Sequence, residues 1–292
     1  MTDSIFGKCG LALVIAIAFK GVVAPMQATA MELLVPAYFY PAAQGSDWDR
    51  LATAARSGLA VTAIMNPASG PGESVNADYA RVINALQDAG GRILGYVPSG
   101  YIGHAVHPGS SCRPADGNTY NPADVIACAA RYQSFYRIDG IFIDEMGPPK
   151  GGAPEAKVVA YYARVYDGLK AVNPRWTVFG NPGTAAPESL LRNGAKGGAD
   201  VLVTFEGLAA NYAAAKPASY ATRHPASRFA HILIETGEQF DVRAALTQAA
   251  TRHVAYFYAT DDLLPNPYDQ LPSYWDALGD AIRTTKAKHR PR

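Results

Sequence analysis

The chain has 292 residues, of which 49% are hydrophobic and 17% are charged, with 26 basic against 25 acidic side chains. A nearly neutral chain without a basic stripe lacks the charge that phosphate contacts require, so nucleic acid is not an expected partner. The apolar content is sufficient for one large hydrophobic core.

Residues 1–30 have the features of a secretory signal peptide. Lys8 precedes an apolar run over 9–19, and Ala28 and Ala30 form a cleavage site of the A-x-A type. The run is far shorter than the ~20 residues that a membrane span needs. A buried N-terminal helix is the alternative. We expect cleavage after Ala30, which predicts a secreted or periplasmic protein without membrane contact after processing.

Two of the three cysteines remain after that cleavage. Cys9 leaves with the signal peptide, and Cys112 and Cys128 are an even count in an exported chain, which predicts a disulfide between them. Two free buried thiols are the alternative. The sequence contains no C-x-x-C and no H-x-x-x-H spacing, so we expect no zinc site and no cofactor.

Short apolar, β-branched or aromatic runs recur along residues 31–292 and alternate with segments of helical period. Eight such runs begin at Leu33, Val61, Ile93, Ile138, Trp176, Asp200, His231 and His253. Their nearly continuous apolar character is typical of buried parallel strands. Eight strands, each followed by a helix, predict a single-domain (β/α)8 barrel. An open doubly wound sheet is the alternative, but no G-x-G-x-x-G motif follows the first run.

In such barrels the side chains at the C-terminal ends of the strands form the active site. The residues expected there are acids, amides and hydroxyls without lysine or arginine: Tyr38, Tyr40, Asn66, Tyr96, Ser99, Asp144, Glu145, Asn181, Glu206, Glu235, Tyr258, Asp261 and Asp262. The lack of basic side chains argues against phosphate or a carboxylated substrate. The set suits a neutral or cationic polyol, because tyrosine faces stack on sugar rings and amides bind hydroxyls.

Glycoside hydrolysis uses two carboxyl groups on either side of one bond. Asp144 ends the fourth strand and Glu206 the sixth, and strict alternation puts Thr204 and Glu206 on one face. We predict that Asp144 is the nucleophile and Glu206 the acid/base of a retaining reaction. Glu145 is a third candidate acid, better suited to be a hydrogen-bonding partner in the site than a catalyst. The competing interpretation is that each acid is a helix cap or a solvated loop residue.

Further substrate contacts are predicted at three strand ends. Tyr96 begins a tyrosine- and glycine-rich segment that forms either a sugar subsite or a packed surface loop. Asn181 binds a substrate hydroxyl or initiates the Asn-Pro-Gly turn. Tyr258 ends the eighth strand, and the aromatic residues of the loop after it, including Tyr268, are interpreted as packing.

Several short motifs occur in chain order at these strand ends. They read "VPAYFYP" with Trp48 close behind, "AIMNPASGPG", "GYVPSGYIG", "IDGIFIDE", "FGNPG" and "FEG". They resemble the spherulin-4-like proteins, also called spherulation-specific family 4 and grouped as glycoside hydrolase family 135. The resemblance extends from about residue 33 to the last helix.

The resemblance implies a (β/α)8 barrel that acts on α-1,4-linked galactosamine or N-acetylgalactosamine polymers of fungal cell walls and biofilm matrices. It matches Asp144 and Glu145 to the family's Asp-Glu pair after strand four, and Glu206 to its acid after strand six. Tyr38 and Asn66 match the family's tyrosine and asparagine near strands one and two, and are therefore expected to bind substrate. The loop after strand three departs from the family pattern, and such loops set subsites.

The combined prediction is an endo-acting glycoside hydrolase of an aminosugar polysaccharide, acting as a monomer. The competing function is a non-catalytic glycan-binding barrel of an extracellular matrix, in which the acids bind amino groups without cleavage. Deacetylation is a third possibility, but it needs a metal site, and the histidines show no convincing ligand spacing.

Overall fold

The structure of the protein is a computed structural model that describes residues 31–42, 45–103, 106–149, 151–183 and 186–287. The predicted signal peptide lies outside these residues. No helix within the described ranges combines the length and the apolar character that crossing a bilayer requires.

Eight parallel strands close into a barrel in which each strand pairs with its neighbours in chain order and the last pairs with the first. Every apolar run identified in the sequence overlaps one of these strands, which confirms the predicted (β/α)8 barrel. The strands are β1 (Glu32–Ala37), β2 (Val61–Met65), β3 (Arg92–Pro98), β4 (Gly140–Asp144), β5 (Thr177–Gly180), β6 (Val201–Leu208), β7 (Phe229–Ile234) and β8 (Tyr256–Ala259).

The helices on the outside are less regular than the strands. They are α1 (Asp47–Arg56), α2 (Ala77–Asp88), α3 (Pro122–Phe135), α4 (Glu155–Val172), α5 (Ala209–Tyr212), α6 (Val242–Thr251) and α7 (Trp275–Ala287). The expectation of a helix after every strand fails between β5 and β6. Within residues 186–200 this connection contains only a 3-10 turn, Glu188–Leu190, because Gly194 and Gly197 have positive φ angles that interrupt a helix.

Side-chain caps set the start of several helices. Asn76, Asn121 and Asp241 accept hydrogen bonds from backbone amides in the first turns of α2, α3 and α6, respectively. These helices run back along the outside of the barrel, and their apolar faces bury the outer face of the strands. Trp48 of α1 and Tyr132 of α3 are fully buried in this layer.

A polar network fills the N-terminal end of the barrel. Arg92 of β3 contacts Glu32 of β1 at 2.5 Å and the hydroxyl of Tyr256 at 2.9 Å. Thr62 of β2, which has no exposed surface, donates to the same carboxylate at 2.5 Å. Each polar group here therefore has a partner, as buried polar groups require.

One strand departs from regular alternation. The register of β6 against β7 shifts between Val203, which pairs with Ala230, and Phe205. The prediction that Thr204 and Glu206 share a face is wrong, because a bulge makes Thr204 an extra residue and reverses the alternation beyond it.

The loop between β3 and α3 is joined to the helix that follows it. Cys112 in the loop and Cys128 in α3 form a disulfide, with Cα atoms 5.3 Å apart. The same loop contacts the loop after β2, where the Ser110 hydroxyl donates to the Ser69 carbonyl at 2.7 Å. The bridge therefore ties two loops of the barrel mouth to the outer helix layer.

We expect the double variant Cys112→Ser/Cys128→Ser to lose stability. The bridge closes a segment of 16 residues, and a loop of about that length contributes about 3 kcal/mol by restricting the unfolded chain. The measurement is denaturant unfolding of both proteins without reductant, with thiol titration of the wild type as the control. Equal unfolding free energies, or two titratable thiols in the folded wild type, would contradict the prediction.

Candidate active site

Two carboxylates from different strands meet at the C-terminal end of the barrel. Asp144 is the last residue of β4, Glu206 lies near the end of β6, and Asn181 follows β5 between them. The Asn181 amide nitrogen donates to Asp144 Oδ1 at 2.9 Å and to Glu206 Oε2 at 2.6 Å. Because both oxygens contact one nitrogen, they are separated by at most the sum of these distances, about 5.5 Å.

A hydrogen bond to the side-chain oxygen of Asn181 fixes the orientation of its amide. Its side-chain oxygen accepts a hydrogen bond from the Gly183 amide at 3.1 Å, so the nitrogen points to the carboxylates. The residue is only 4% exposed. The turn that the sequence predicts at Asn-Pro-Gly and the contact with the acids are therefore two functions of one side chain.

Tyrosine hydroxyls occupy the other oxygen of each carboxylate. Tyr96 donates to Asp144 Oδ2 at 2.8 Å, and Tyr268 donates to Glu206 Oε1 at 2.6 Å. Tyr38 lies between these two tyrosines, with ring centroids 5.6 Å and 5.4 Å away in edge-on contacts. Burial and the carboxylate charges raise the pKa of all three hydroxyls, which therefore remain neutral donors.

The carboxylates also affect each other. Burial, followed by the charge of Glu206, raises the pKa of Asp144 to about 7, and the hydrogen bond from Tyr96 opposes this rise. Two carboxylates this close do not both ionise easily in a buried site, so Asp144 keeps its proton into the neutral pH range. A pair that shares one proton can supply an acid and an anion to the same bond.

Glu145 has a different environment from its neighbour Asp144. Its φ angle is 56°, a left-handed conformation that redirects the chain at the end of β4. Its carboxylate accepts the Gly100 amide at 3.0 Å and contacts the His107 ring at 2.5 Å. Its carbonyl accepts the Tyr101 amide at 3.0 Å. Glu145 therefore holds the loop after β3 and does not bridge to Glu206.

The sequence matches the model of one protein family. Residues 32–282 match Spherulation-specific family 4. The chain belongs to this family. A curated relative, Spherulin-4 of Physarum polycephalum, is 34% identical over 162 residues, which are 55% of this chain and 42% of the relative. The resemblance inferred from the strand-end motifs is thereby confirmed, although the match spans less than half of that relative.

Solved structures share the barrel. Sph3 of Aspergillus clavatus, in complex with GalNAc, has a TM-score of 0.67 and 24% identity, covering 88% of this chain and 99% of Sph3. The catalytic domain of a chitinase from Pyrococcus furiosus has a TM-score of 0.51 and 11% identity, covering 91% of this chain and 99% of that domain. At these identities the likeness shows a common fold.

Two of the predicted substrate-binding residues of this spherulation-specific family 4 protein, Asn66 and Tyr258, form no hydrogen bond to Asp144 or Glu206 in the described part of the chain. Asn66 accepts the Gly70 amide at 3.1 Å and shapes its own loop after β2. Tyr258 has no exposed surface, and burial raises the pKa of its hydroxyl well above the usual value. The assignment of Tyr258 to substrate binding stays a prediction.

Tyr268 was not predicted as a site residue, and Tyr101 was expected only as part of a segment that forms a sugar subsite or a packed surface loop. Tyr268 was interpreted as packing, because nothing in a turn-rich loop indicates that it folds back over Glu206. Tyr101 is affected by three acids: burial, then Asp144, Glu145 and Glu206, raise its pKa to about 12. A tyrosine after a strand is the available signal, and it does not distinguish a rim position from packing.

Among the residues that the structure describes, no three His, Cys, Asp or Glu side chains are arranged to hold a metal ion. The neutral groups of Asn181, Tyr96 and Tyr268 donate to the four oxygens of Asp144 and Glu206.

We expect Asp144→Asn to stabilise the fold at high pH. The pKa of Asp144 rises from 3.8 to about 7 on folding, so the folded protein keeps a proton that the unfolded chain releases between these pH values. The wild type therefore loses stability as pH rises through this window, and the amide does not. The gain at pH 8 should be at least about 1 kcal/mol and should vanish near pH 4. Denaturant unfolding at both pH values measures it, and a gain that is equal at both contradicts the proton argument.

Proposed function

We propose that this protein is a secreted, monomeric glycoside hydrolase that cleaves α-1,4-linked galactosamine or N-acetylgalactosamine polysaccharide within the chain. The observation that carries the proposal is the pair formed by Asp144 and Glu206, which Asn181 bridges and in which burial and the charge of Glu206 raise the pKa of Asp144. The family membership and the fold shared with GalNAc-bound Sph3 support a sugar as the ligand.

The separation of the carboxylates favours retention of anomeric configuration. Retaining enzymes place the two groups about 5–5.5 Å apart, whereas inverting enzymes need about 6.5–9.5 Å to admit a water. The contacting oxygens of Asp144 and Glu206 are at most about 5.5 Å apart. A separation in this range supports direct attack by one carboxylate.

The two carboxylates then act in two successive steps. Asp144, in its ionised form, attacks the anomeric carbon while Glu206 gives its proton to the leaving oxygen. Glu206 next takes a proton from a water that attacks the same carbon and releases Asp144. In the free site the proton lies on Asp144, because burial and the charge of Glu206 raise its pKa to about 7. Transfer of this proton to Glu206 removes the charge of Glu206 and so favours the ionised form of Asp144 that attacks.

The surrounding groups suit an uncharged or cationic sugar. Tyr38, Tyr96 and Tyr268 provide aromatic edges and hydroxyls around the acids. An amine on the substrate would meet two carboxylates, and an acetamido group would meet hydroxyl and amide donors. The amino sugar is cationic and the acetamido sugar is neutral, so the carboxylates repel neither of them.

Hydrolysis of purified galactosaminogalactan tests the proposal. We expect Asp144→Asn and Glu206→Gln each to lower the rate by on the order of 10³-fold, because each removes an acid–base or nucleophilic group. The matched control is Asp280→Asn, an exposed acid on α7, which should retain the wild-type rate. Wild-type protein that binds the polymer and releases no reducing ends would overturn the proposal in favour of the glycan-binding barrel.

An aryl α-glycoside of N-acetylgalactosamine with a good leaving group distinguishes the nucleophile from the acid/base. In Glu206→Ala the first step needs no acid, so added azide should restore turnover and give a glycosyl azide of retained configuration. Asp144→Ala should give only the inverted azide. The opposite pattern would exchange the two roles, and it is read out by NMR of the anomeric proton.

A further inference from the structure

The bulge in β6 immediately precedes Glu206. Val203 pairs with Ala230 and Phe205 pairs with His231, so Thr204 is the extra residue between them. The ring of Phe205 packs on His231 at 5.9 Å, and the Thr204 hydroxyl contacts the Nε2 atom of the same histidine at 3.0 Å. Two consecutive side chains of β6 therefore point to the same side of the strand.

This arrangement decides the direction of the next side chain. Thr204 and Phe205 face the outer layer, where Phe205 also packs on Tyr212 of α5 at 4.9 Å. Glu206 then faces the interior and reaches Asn181. In a strand of strict alternation Glu206 would point the same way as Thr204, away from the other carboxylate.

His231 is a buried polar residue with a partner on each ring nitrogen. It is 3% exposed, and its Nδ1 atom lies 2.8 Å from the Tyr212 hydroxyl. Burial, followed by the charge of Arg252, lowers the pKa of His231 to about 3, so the ring is neutral. A neutral imidazole has one donor and one acceptor, which the hydroxyls of Tyr212 and Thr204 satisfy together.

Simple packing does not account for this residue. A leucine or phenylalanine would fill the same outer layer without the cost of burying two polar nitrogens. The partner of Nε2 is the one residue of β6 that has no place in the strand register. Bulges next to active sites commonly redirect a side chain.

We propose that His231 is a positioning residue, whose hydrogen bond to Thr204 holds the β6 bulge in the form that directs Glu206 toward Asn181 and Asp144. The role of Glu206 in hydrolysis rests on the proposed function, whereas the direction of its carboxylate is a property of the fold. The inference therefore has a readout that does not require activity.

The test uses substitutions that keep or remove the hydrogen bond between the Thr204 hydroxyl and His231 Nε2. Thr204→Val removes the hydroxyl at nearly constant shape, and Thr204→Ser restores it. The amide of His231→Gln can reach the position of Nε2, whereas that of His231→Asn reaches only the position of Nδ1. We expect Thr204→Val and His231→Asn to lower kcat about 10- to 100-fold with little change in KM, because a misplacement near 1 Å costs about that much. Thr204→Ser and His231→Gln should remain within about threefold of wild type.

The second measurement is an NMR titration of the Asp144 carboxyl carbon. The charge of Glu206 contributes to the raised pKa of Asp144, so a Glu206 that turns away should lower this pKa in Thr204→Val and not in Thr204→Ser. A variant that is merely less stable loses folded protein but keeps the pKa of the protein that stays folded. The pKa of Asp144 measured by NMR tests the inference even if the wild type hydrolyses no substrate.

The matched control is Thr62→Val, which removes a fully buried threonine hydroxyl at the opposite end of the barrel. It should lower the unfolding temperature while kcat and the pKa of Asp144 stay at the wild-type values. The inference is overturned if Thr204→Val keeps the wild-type pKa of Asp144. An inactive wild type whose Asp144 pKa falls in Thr204→Val would reject the proposed hydrolysis and retain the positioning role.

Discussion

The two hydrogen bonds from the Asn181 amide to Asp144 and Glu206 are the contact on which the rest of the site depends. They hold the two acids at a distance where the charge of Glu206, together with burial, raises the pKa of Asp144 and so keeps its proton into the neutral range. Asn181 directly follows β5, the strand between those of the two acids. Neighbouring parallel strands therefore supply the acid, the bridge and the second acid in barrel order.

The identity of the other donors explains why this proton remains in the site. Tyr96 and Tyr268 contact the carboxylates with neutral hydroxyls. A lysine or arginine in either place would stabilise the ionised form of Asp144 and lower its pKa. Burial instead raises the pKa of Asp144 toward the neutral range, where it can exchange a proton with Glu206. The site thus obtains an acid and an anion from two residues of the same chemical type.

Local departures from regular strand geometry set the directions in which the acidic side chains point. Phe142 and Asp144 follow the alternation of β4, since Phe142 stacks on Tyr96 and Tyr96 donates to Asp144. The positive φ of Glu145 then ends the alternation and turns this third acid into the loop after β3. In β6 the bulge has the opposite effect and brings Glu206 inward. Both irregularities are backbone features that residue type alone does not indicate.

The sequence by itself determined the barrel, its eight strands and the strand ends that hold Asp144, Asn181 and Glu206. Apolar periodicity identifies buried parallel strands, and strand order then fixes which ends are neighbours. Only the tertiary structure decided the direction of Glu206, the burial of Tyr258 and the return of Tyr268 over the site. These depend on a register shift, on closure of the barrel and on a long loop, and none of the three has a periodic signal in the chain.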